Sequence, residues 1–386
     1  MPAFVRTYGM IYMVLNSYMF YRQNGGVLKK ILRRIGILLA VLLAVCIGYV
    51  IYVMVAYYRL PDNQPLTVSQ SGEYAQFEDR APVTTRKAYW VMTYNIGFGA
   101  YQRDYSFFMD GGKYSRARDE ESVIADICGV GDVINNTAAD FVFLQEVDID
   151  GTRSYHVNEL ELLNEFVTGY YYTFAQNYDS PYLMVPPWEP HGANKAGLVT
   201  YSRGEITDAL RRSLPISDSF SKFTDLDRCY SISRVPVDNG KMLCLYNVHL
   251  SAYGSSAEVR SGQLGMLFAD MKADYDRGNY VICGGDFNHN LRTDASSNAP
   301  EWAQPFPREE LPEGFRMGMD SLRALEDIAH DTCRNANEPY NEETTMTVTL
   351  DGFIISDNIA INYYKHSDWG YEYSDHDPVV MQFFLN

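Results

Sequence analysis

The stretch GGDFNHN, residues 284–290, follows the apolar run YVIC at residues 280–283. A short apolar run that ends at paired glycines predicts a buried β-strand. The carboxyl end of that strand then carries Asp286 and Asn288, two residues apart. Both are oxygen-bearing side chains, and oxygen ligands are those that magnesium prefers.

A second stretch, SDHDP at residues 374–378, places Asp375 and His376 side by side just before the apolar run at residues 379–381. A carboxylate next to an imidazole suits metal-assisted attack on a phosphate ester, because the reaction needs a metal ligand and a group that moves or donates a proton. Either stretch alone is weak evidence, since Asp, Asn and Ser also shape ordinary turns.

Polar residues stand at the ends of other apolar runs as well. Four further residues occupy such positions: Asn95, Glu146, His249 and, at the start of its own strand, Asp351. Each alone has an ordinary structural explanation, as a turn former, a surface charge or a hydrogen-bonded histidine. Their shared position at strand ends favours a common site. Together they supply carboxylates for a metal, a base for water and donors for phosphate oxygens.

Apolar runs and helical patterns alternate along the rest of the chain, which predicts a layered α/β domain. The predicted strands are residues 89–94, 141–144, 197–201, 241–248, 280–284, 351–355 and 379–384. The predicted helices are residues 122–135, 157–166, 259–277 and 319–327. Two Pro- and aromatic-rich segments, around residues 179–194 and 296–315, are predicted to be binding loops, with disorder as the alternative.

Residues 35–58 contain no charged side chain. As a helix, 24 residues span about 36 Å, enough to cross a hydrocarbon core of about 30 Å. A cleaved signal peptide is the alternative, but its apolar region is usually only about 7–15 residues and ends in a small-x-small site, which is missing here. An uncleaved transmembrane helix is therefore predicted.

Charges flank this helix unevenly. Four basic residues precede it and one follows it: Lys29, Lys30, Arg33, Arg34 and then Arg59. The positive-inside rule predicts a single-pass protein of the cell membrane, with residues 1–34 as a short basic cytoplasmic segment and the rest outside the cytoplasm. Residues 59–87 are rich in Pro and polar side chains and are predicted to be a linker to a domain at residues 88–386.

Net charge limits the possible partners. Seven of the 32 basic residues and none of the 49 acidic ones lie in residues 1–59, so the remainder carries about −24. Such a domain repels nucleic-acid backbones on average, although a local basic groove stays possible. The six cysteines show no CxxC or Cys/His spacing, so neither a zinc site nor a disulfide framework is indicated.

The polar segments, taken in order, resemble the endonuclease/exonuclease/phosphatase superfamily, which has the DNase I-like fold. The segments that carry the resemblance are Asn95, Gln145-Glu146, Asn247-Val248-His249, Gly285-Asp286-Phe287-Asn288, Leu350-Asp351 and Ser374-Asp375-His376. The resemblance covers roughly residues 88–386. It implies a four-layer α/β sandwich, with two mixed β-sheets packed face to face and helices outside.

The resemblance also implies a role for each residue. Glu146 would be the principal ligand of Mg²⁺, or alternatively of Mn²⁺, with Asn95 beside it and Asp375 supporting the metal site.

The remaining positions would be catalytic. Asp286 would position or deprotonate the attacking water, and Asn288 would hold a phosphate oxygen. His249 would donate a hydrogen bond or a proton, and His376, oriented by Asp351, would be a base or polarise the phosphate. The residues leave open whether Asp286 or His376 removes the proton.

The expected function is metal-dependent phosphoester hydrolysis by a membrane-anchored domain. The substrate would be a nucleic acid or, alternatively, a phospholipid headgroup or inositol phosphate, with aromatic loops around Trp188 and Trp302 meeting a membrane surface. A non-catalytic binding module on the same fold is a further alternative, but it predicts the loss of Glu146, Asp286 or His376, and all three are present. No protein partner is indicated.

Overall fold

The computed structural model describes residues 3–73, 82–217, 222, 226–251, 256–293, 303–321 and 325–386. Trp302, one of the two aromatic residues predicted to meet a membrane, lies outside these residues. The chain divides into two compact units, Met1–Ala56 and Tyr57–Asn386.

The first unit is a single helix, α1 (Ala3–Ala56). Within it Gly26–Ala56 is long and apolar enough to cross a membrane, and a signal sequence near an N-terminus has the same properties. The predicted span at residues 35–58 lies in this helix except for Tyr57 and Tyr58, which follow its end. The helix also extends through the segment predicted to be a short basic tail.

Within its described residues, the second unit contains two seven-stranded sheets and a two-stranded ribbon. The strands are, in chain order, β1 (Gln64–Pro65), β2 (Val68–Ser71), β3 (Ala88–Asn95), β4 (Phe141–Gly151), β5 (Tyr170–Asp179), β6 (Asn194–Ser202), β7 (Asp208–Ser213), β8 (Cys229–Pro236), β9 (Met242–His249), β10 (Tyr280–Asp286), β11 (Phe315–Met317), β12 (Cys333–Arg334), β13 (Thr347–Val348), β14 (Asp351–Ser356), β15 (Ile359–His366) and β16 (Val379–Leu385). All seven predicted strands are confirmed.

One sheet has the order β1-β7-β8-β9-β10-β14-β11 and the other β15-β16-β3-β4-β6-β5-β2. Each sheet is mixed: β9 and β10 are parallel, as are β3 and β4, while their outer neighbours are antiparallel. The sheets pack face to face through a shared apolar core, in which the rings of Phe143 on β4 and Phe353 on β14 lie 6.3 Å apart.

Helices cover the outer faces of the sheets. α2 (Glu120–Thr137) and α3 (Glu159–Phe166) pack on the sheet that contains β3 and β4, and α4 (Ala257–Asp276) packs on the other. The predicted four-layer α/β sandwich is therefore confirmed. Asp119 starts α2 with a capping box, in which its side chain accepts from Ser122 N at 2.8 Å.

Two local predictions differ from the structure. The segment 59–87 was predicted to be a linker, but β1 pairs with β7 and β2 pairs with β5, so residues 64–71 extend the edges of both sheets. Backbone pairing of such short strands leaves no hydrophobic pattern in the sequence. The helix predicted at residues 319–327 is wrong, since its described residues form two 3₁₀ turns, Gly318–Ser321 and Leu325–Ile328.

Candidate functional site

The predicted site residues meet at one edge of the sandwich because of strand direction. The parallel strands β9 and β10 end beside each other at this edge, with His249 in register with Asp286. β14 runs antiparallel to β10, so its first residue, Asp351, is also in register with Asp286. In the other sheet β3 ends here at Asn95, and β16 begins here just after His376.

A glycine allows β9 and β10 to lie this close. Gly285 has φ +145°, and a Cβ built on it would lie 2.0 Å from the carbonyl oxygen of Val248. No residue with a side chain fits at that distance, and L-residues rarely adopt that backbone angle. Gly285 therefore fixes the approach of the two strands just before Asp286 and His249.

A β-bulge directs Glu146. The pairing between β4 and β6 shifts between Leu144 and Val147, and Glu146 within the shift has φ +57°. Bulges commonly re-aim a side chain next to an active site. Here the Glu146 carboxylate is partly exposed, at 20% of its side-chain surface, among neighbours that are buried.

Asn95 links two of the carboxylates. Its Nδ2 donates to Glu146 Oε1 at 3.3 Å and to Asp286 Oδ2 at 3.1 Å, while its Oδ1 accepts from Gly97 N at 3.1 Å. In this orientation the amide holds Glu146 and Asp286 together, and its oxygen is already used by the backbone. Ser374 Oγ donates to the Asn95 carbonyl at 2.8 Å and so attaches the segment that carries Asp375.

Asn288 is fixed close to Asp286. Asp286 Oδ1 accepts from the Asn288 backbone N–H at 2.8 Å, and Asn288 Nδ2 donates to the Leu250 carbonyl at 2.9 Å and to Asp286 Oδ2 at 3.3 Å. Asn288 has φ +49°, a conformation that Asn tolerates better than most residues.

His376 and Asp351 form a buried pair. His376 Nδ1 lies 2.7 Å from Asp351 Oδ2, which also accepts from Thr332 Oγ1 at 2.7 Å. His376 Nε2 faces Asp286, at 3.9 Å from Oδ2. Burial alone would lower the pKa of His376, but the charge of Asp351 and the nearby Cys333 raise it well above its usual value.

His249 has the opposite electrostatic environment. Its Nε2 lies 3.6 Å from Asp286 Oδ2 and 4.0 Å from Glu146 Oε1. Burial lowers the pKa of His249 well below its ordinary value, and the positive charges of Arg228 and His376 lower it further. The ring is therefore neutral near pH 7, and it can donate a hydrogen bond from only one nitrogen.

Buried carboxylates crowd this edge. Burial raises the pKa of Asp286 to about 7, although His376 opposes the shift, and burial raises the pKa of Asp375 to about 6, with Glu146 adding to it. Buried like charges are costly unless a cation lies among them. The donors are mainly hard oxygens, so the residues present fit a divalent cation such as Mg²⁺.

At this edge two groups of three side chains could hold a metal ion, since the potential ligand atoms within each group all lie within 4.8 Å of one another. One contains Asp286, Asp351 and His376, and the other contains Cys333, Asp375 and His376. Asn95 and Glu146, predicted as ligands together with Asp375, form a hydrogen-bonded pair next to these groups.

Several residues that support the site were assigned no function from the sequence, although Gln145 and Asn247 belong to the segments that carry the family resemblance. Gln145 Nε2 donates to Asn247 Oδ1 at 2.8 Å and so connects the two sheets directly beneath the site. Thr332 orients Asp351, and no pattern near it indicated this. Arg153 and Asp148 form a buried ion pair with Nη2 and Oδ1 2.6 Å apart.

All eight predicted site residues thus lie at the same edge.

Comparison with known proteins identifies the family: the model of the Endonuclease/Exonuclease/phosphatase family matches residues 92–376. A comparison with curated protein sequences finds no significant match.

Solved structures resemble the chain in fold. An endonuclease/exonuclease/phosphatase from Beutenbergia cavernae is 18% identical, with 78% of this chain and 72% of that one covered and a TM-score of 0.55. A family protein from Bacteroides thetaiotaomicron is 16% identical, with 78% and 96% covered and a TM-score of 0.50. The human Nocturnin catalytic domain is 18% identical, with 84% and 99% covered and a TM-score of 0.48.

Proposed function

The chain belongs to the endonuclease/exonuclease/phosphatase family, and from this membership we propose that it is a metal-dependent phosphoester hydrolase held at the cell membrane by its N-terminal helix. One observation carries the proposal. The buried Asp351–His376 pair, the carboxylate of Asp286 and the partly exposed carboxylate of Glu146 all lie at one edge of the sandwich. This set contains a metal ligand, a base and a donor, the groups that phosphoester hydrolysis requires.

Glu146 and Asp375, with Asn95 beside them, would hold Mg²⁺, or alternatively Mn²⁺, since both ions favour oxygen ligands. A bound divalent cation would supply charge stabilisation for the phosphate oxygens. In the orientation described, Asn95 contributes by holding Glu146 and Asp286 in place through its amide nitrogen.

Asp286 is the group that we assign to position the attacking water and take its proton. Its carboxylate is held by Asn95 and by the backbone of Asn288, so its position is set on two sides. The side-chain amide of Asn288 lies beside it, and Nδ2 would hold a phosphate oxygen by giving up its 3.3 Å hydrogen bond to Asp286 Oδ2.

His376 is then the donor to the phosphate. Its Nδ1 is held by the Asp351 carboxylate, which leaves Nε2 directed toward the Asp286 side of the site. A carboxylate on one ring nitrogen favours the protonated ring, which donates rather than accepts. His249, neutral and buried, would donate a second hydrogen bond to the phosphate; its lowered pKa counts against the alternative role of protonating the leaving group.

Anchoring rests on α1. Gly26–Ala56 is long enough to span a bilayer, and the four basic residues in its first turns, before the uncharged stretch that starts at residue 35, favour a cytoplasmic N-terminus and a catalytic domain on the outer side. For substrates, the anchor favours a phospholipid headgroup. The acidic charge of the domain repels polyanions and so counts against an inositol phosphate and a nucleic acid, although the family also includes nucleases. Nucleic acid stays the alternative substrate.

The test is hydrolysis of bis-p-nitrophenyl phosphate by the full chain in mild detergent. We expect activity that EDTA abolishes and Mg²⁺ restores, and a loss of about 10²–10⁴-fold in His376→Ala and in Asp286→Asn. The chain offers matched controls in an exposed Asp–His pair, Asp150 and His156, whose Oδ1 and Nδ1 lie 2.6 Å apart.

We expect His156→Ala and Asp150→Asn to keep the native rate. An inactive native protein, or site variants as active as these controls, would refute the proposal and favour a binding module. A panel of DNA, RNA, sphingomyelin and inositol phosphates with the same preparation would then separate the substrate classes.

A further inference from the structure

The loop between β5 and β6 presents large apolar side chains to solvent. Trp188 is 80% exposed, Val185 55%, Met184 50% and Tyr182 37%. We refer to residues 182–188 as the apolar loop. Single exposed apolar residues are common on protein surfaces, but several on one short segment mark an interaction surface.

The backbone around the apolar loop is well supported by hydrogen bonds. Leu183 and Gly192 exchange two backbone hydrogen bonds of 3.0 Å, and His191 N donates to the Val185 carbonyl at 3.0 Å. Arg116 Nε donates to the Pro190 carbonyl at 2.6 Å. The backbone of the loop is therefore held in place, with Leu183 buried and the side chains of Tyr182, Met184, Val185 and Trp188 exposed.

The apolar loop borders the site. It leads into Asn194, which pairs with Gly151 at the end of β4, the strand that carries Glu146. The ring of His191 lies 6.5 Å from that of Phe98, three residues after Asn95. A surface that contacted the apolar loop would thus lie along the rim of the site.

We propose that the apolar loop inserts into the interface of a lipid bilayer. Tryptophan and tyrosine next to aliphatic side chains are typical of segments that lie at the membrane–water boundary. The domain follows a candidate membrane span directly in the chain, so it would be tethered at high local concentration to any bilayer that contains the span.

The charge of this region selects the lipid class. Residues 179–194 contain no Lys or Arg, and the chain beyond residue 59 is strongly acidic. Attraction to anionic lipid needs basic residues. The apolar loop therefore binds neutral, zwitterionic lipid through apolar burial, and this binding is insensitive to salt. A loop inserted in a bilayer would hold the site near the lipid headgroups, which favours a membrane lipid as the phosphoester substrate. This inference about the substrate rests on the proposed hydrolase activity.

The experiment uses the full chain reconstituted into phosphatidylcholine vesicles, with and without bromine on the acyl chains. Bromine quenches tryptophan fluorescence only within the bilayer. We expect Trp188→Phe to lose most of the bromolipid-dependent quenching of the native protein, and the quenching that Trp188 contributes to be equal at low and high salt. Trp369 lies outside the apolar loop and is 36% exposed, so Trp369→Phe is the control. We expect this variant to keep the quenching of the native protein.

Urea unfolding in mild detergent should be the same for both variants and the native protein, which would show that the variants fold, and hydrolysis of bis-p-nitrophenyl phosphate should be unchanged as well. Equal quenching in the native protein and in Trp188→Phe would overturn the proposal and assign the apolar loop to a protein partner. The quenching result stands whether or not hydrolysis is detected, so failure of the proposed function is distinguishable from failure of the membrane contact.

Discussion

Replacing Gly285 by alanine tests whether the backbone at the end of β10 places the site. An alanine Cβ would lie 2.0 Å from the Val248 carbonyl oxygen on β9, at a φ of +145°. Carbon and oxygen atoms in close contact between neighbouring strands are normally about 3.3–3.6 Å apart. The two strands would have to separate by more than about 1 Å.

The magnitude follows from this geometry. A residue with a side chain held at such a φ costs about 1–3 kcal/mol, and overfilling a packed region typically costs about 1–3 kcal/mol more. We therefore expect Gly285→Ala to lower the free energy of unfolding by about 2–6 kcal/mol. Because Asp286 and His249 are the next residues on the two strands, a displacement of about 1 Å should also lower the hydrolysis rate about 10²-fold.

Urea unfolding followed by near-UV circular dichroism, on the full chain in mild detergent, measures the first quantity, and hydrolysis of bis-p-nitrophenyl phosphate measures the second. Gly265→Ala in α4 is the matched control, since its Cβ meets no atom within 4 Å. It should raise the free energy of unfolding by about 1 kcal/mol and leave the rate unchanged. A Gly285→Ala variant within about 0.5 kcal/mol of the native protein, with the native rate, would refute the reasoning.

Two further predictions concern buried charges. Burial raises the pKa of Asp126 to about 8, against about 4 in an unfolded chain, although Gln102 donates to it at 2.9 Å. Between these values the folded state keeps a proton that the unfolded chain has lost, so the free energy of unfolding falls by about 1.4 kcal/mol per pH unit. The advantage of Asp126→Asn over the native protein should therefore grow from pH 5 to pH 8 in urea unfolding, and a constant difference would contradict it. Asp148→Asn leaves the buried Arg153 without its charge partner and should lower the free energy of unfolding by about 3–5 kcal/mol, whereas Asp104→Asn, in an exposed pair, should change it by less than about 1 kcal/mol.

Strands with continuous apolar runs were predictable because both of their faces are buried. β10 and β16 are of this kind. β7, Asp208–Ser213, was not predicted, since its sequence DALRRS has no apolar pattern. Its Arg211 can be buried because Nε has a partner, the Gln176 carbonyl, at 2.7 Å. No local pattern in the sequence predicts this contact.

The residues of the site likewise fall into those that the sequence predicts and those that it does not. Asp286, Asn288 and His376 were predictable because polar residues next to apolar runs are visible as a pattern. Thr332 was not, because it belongs to no apolar run and reaches Asp351 only in the folded protein. The segment predicted to be a linker likewise gained its role as a sheet edge through backbone pairing, which depends little on side-chain type.

The amino-acid sequence by itself determined which chemical groups stand at the strand ends, the order in which they occur and the apolar runs that make the sheets. Those features depend on side-chain type and on local spacing, which the chain carries with it. Only the tertiary structure decided which atoms meet. Asn95 and Asp286 are 191 residues apart, yet their side chains hydrogen-bond at 3.1 Å. A hydrogen bond forms only when donor and acceptor lie about 3 Å apart, and the register and packing of two whole sheets set the distance between these two atoms.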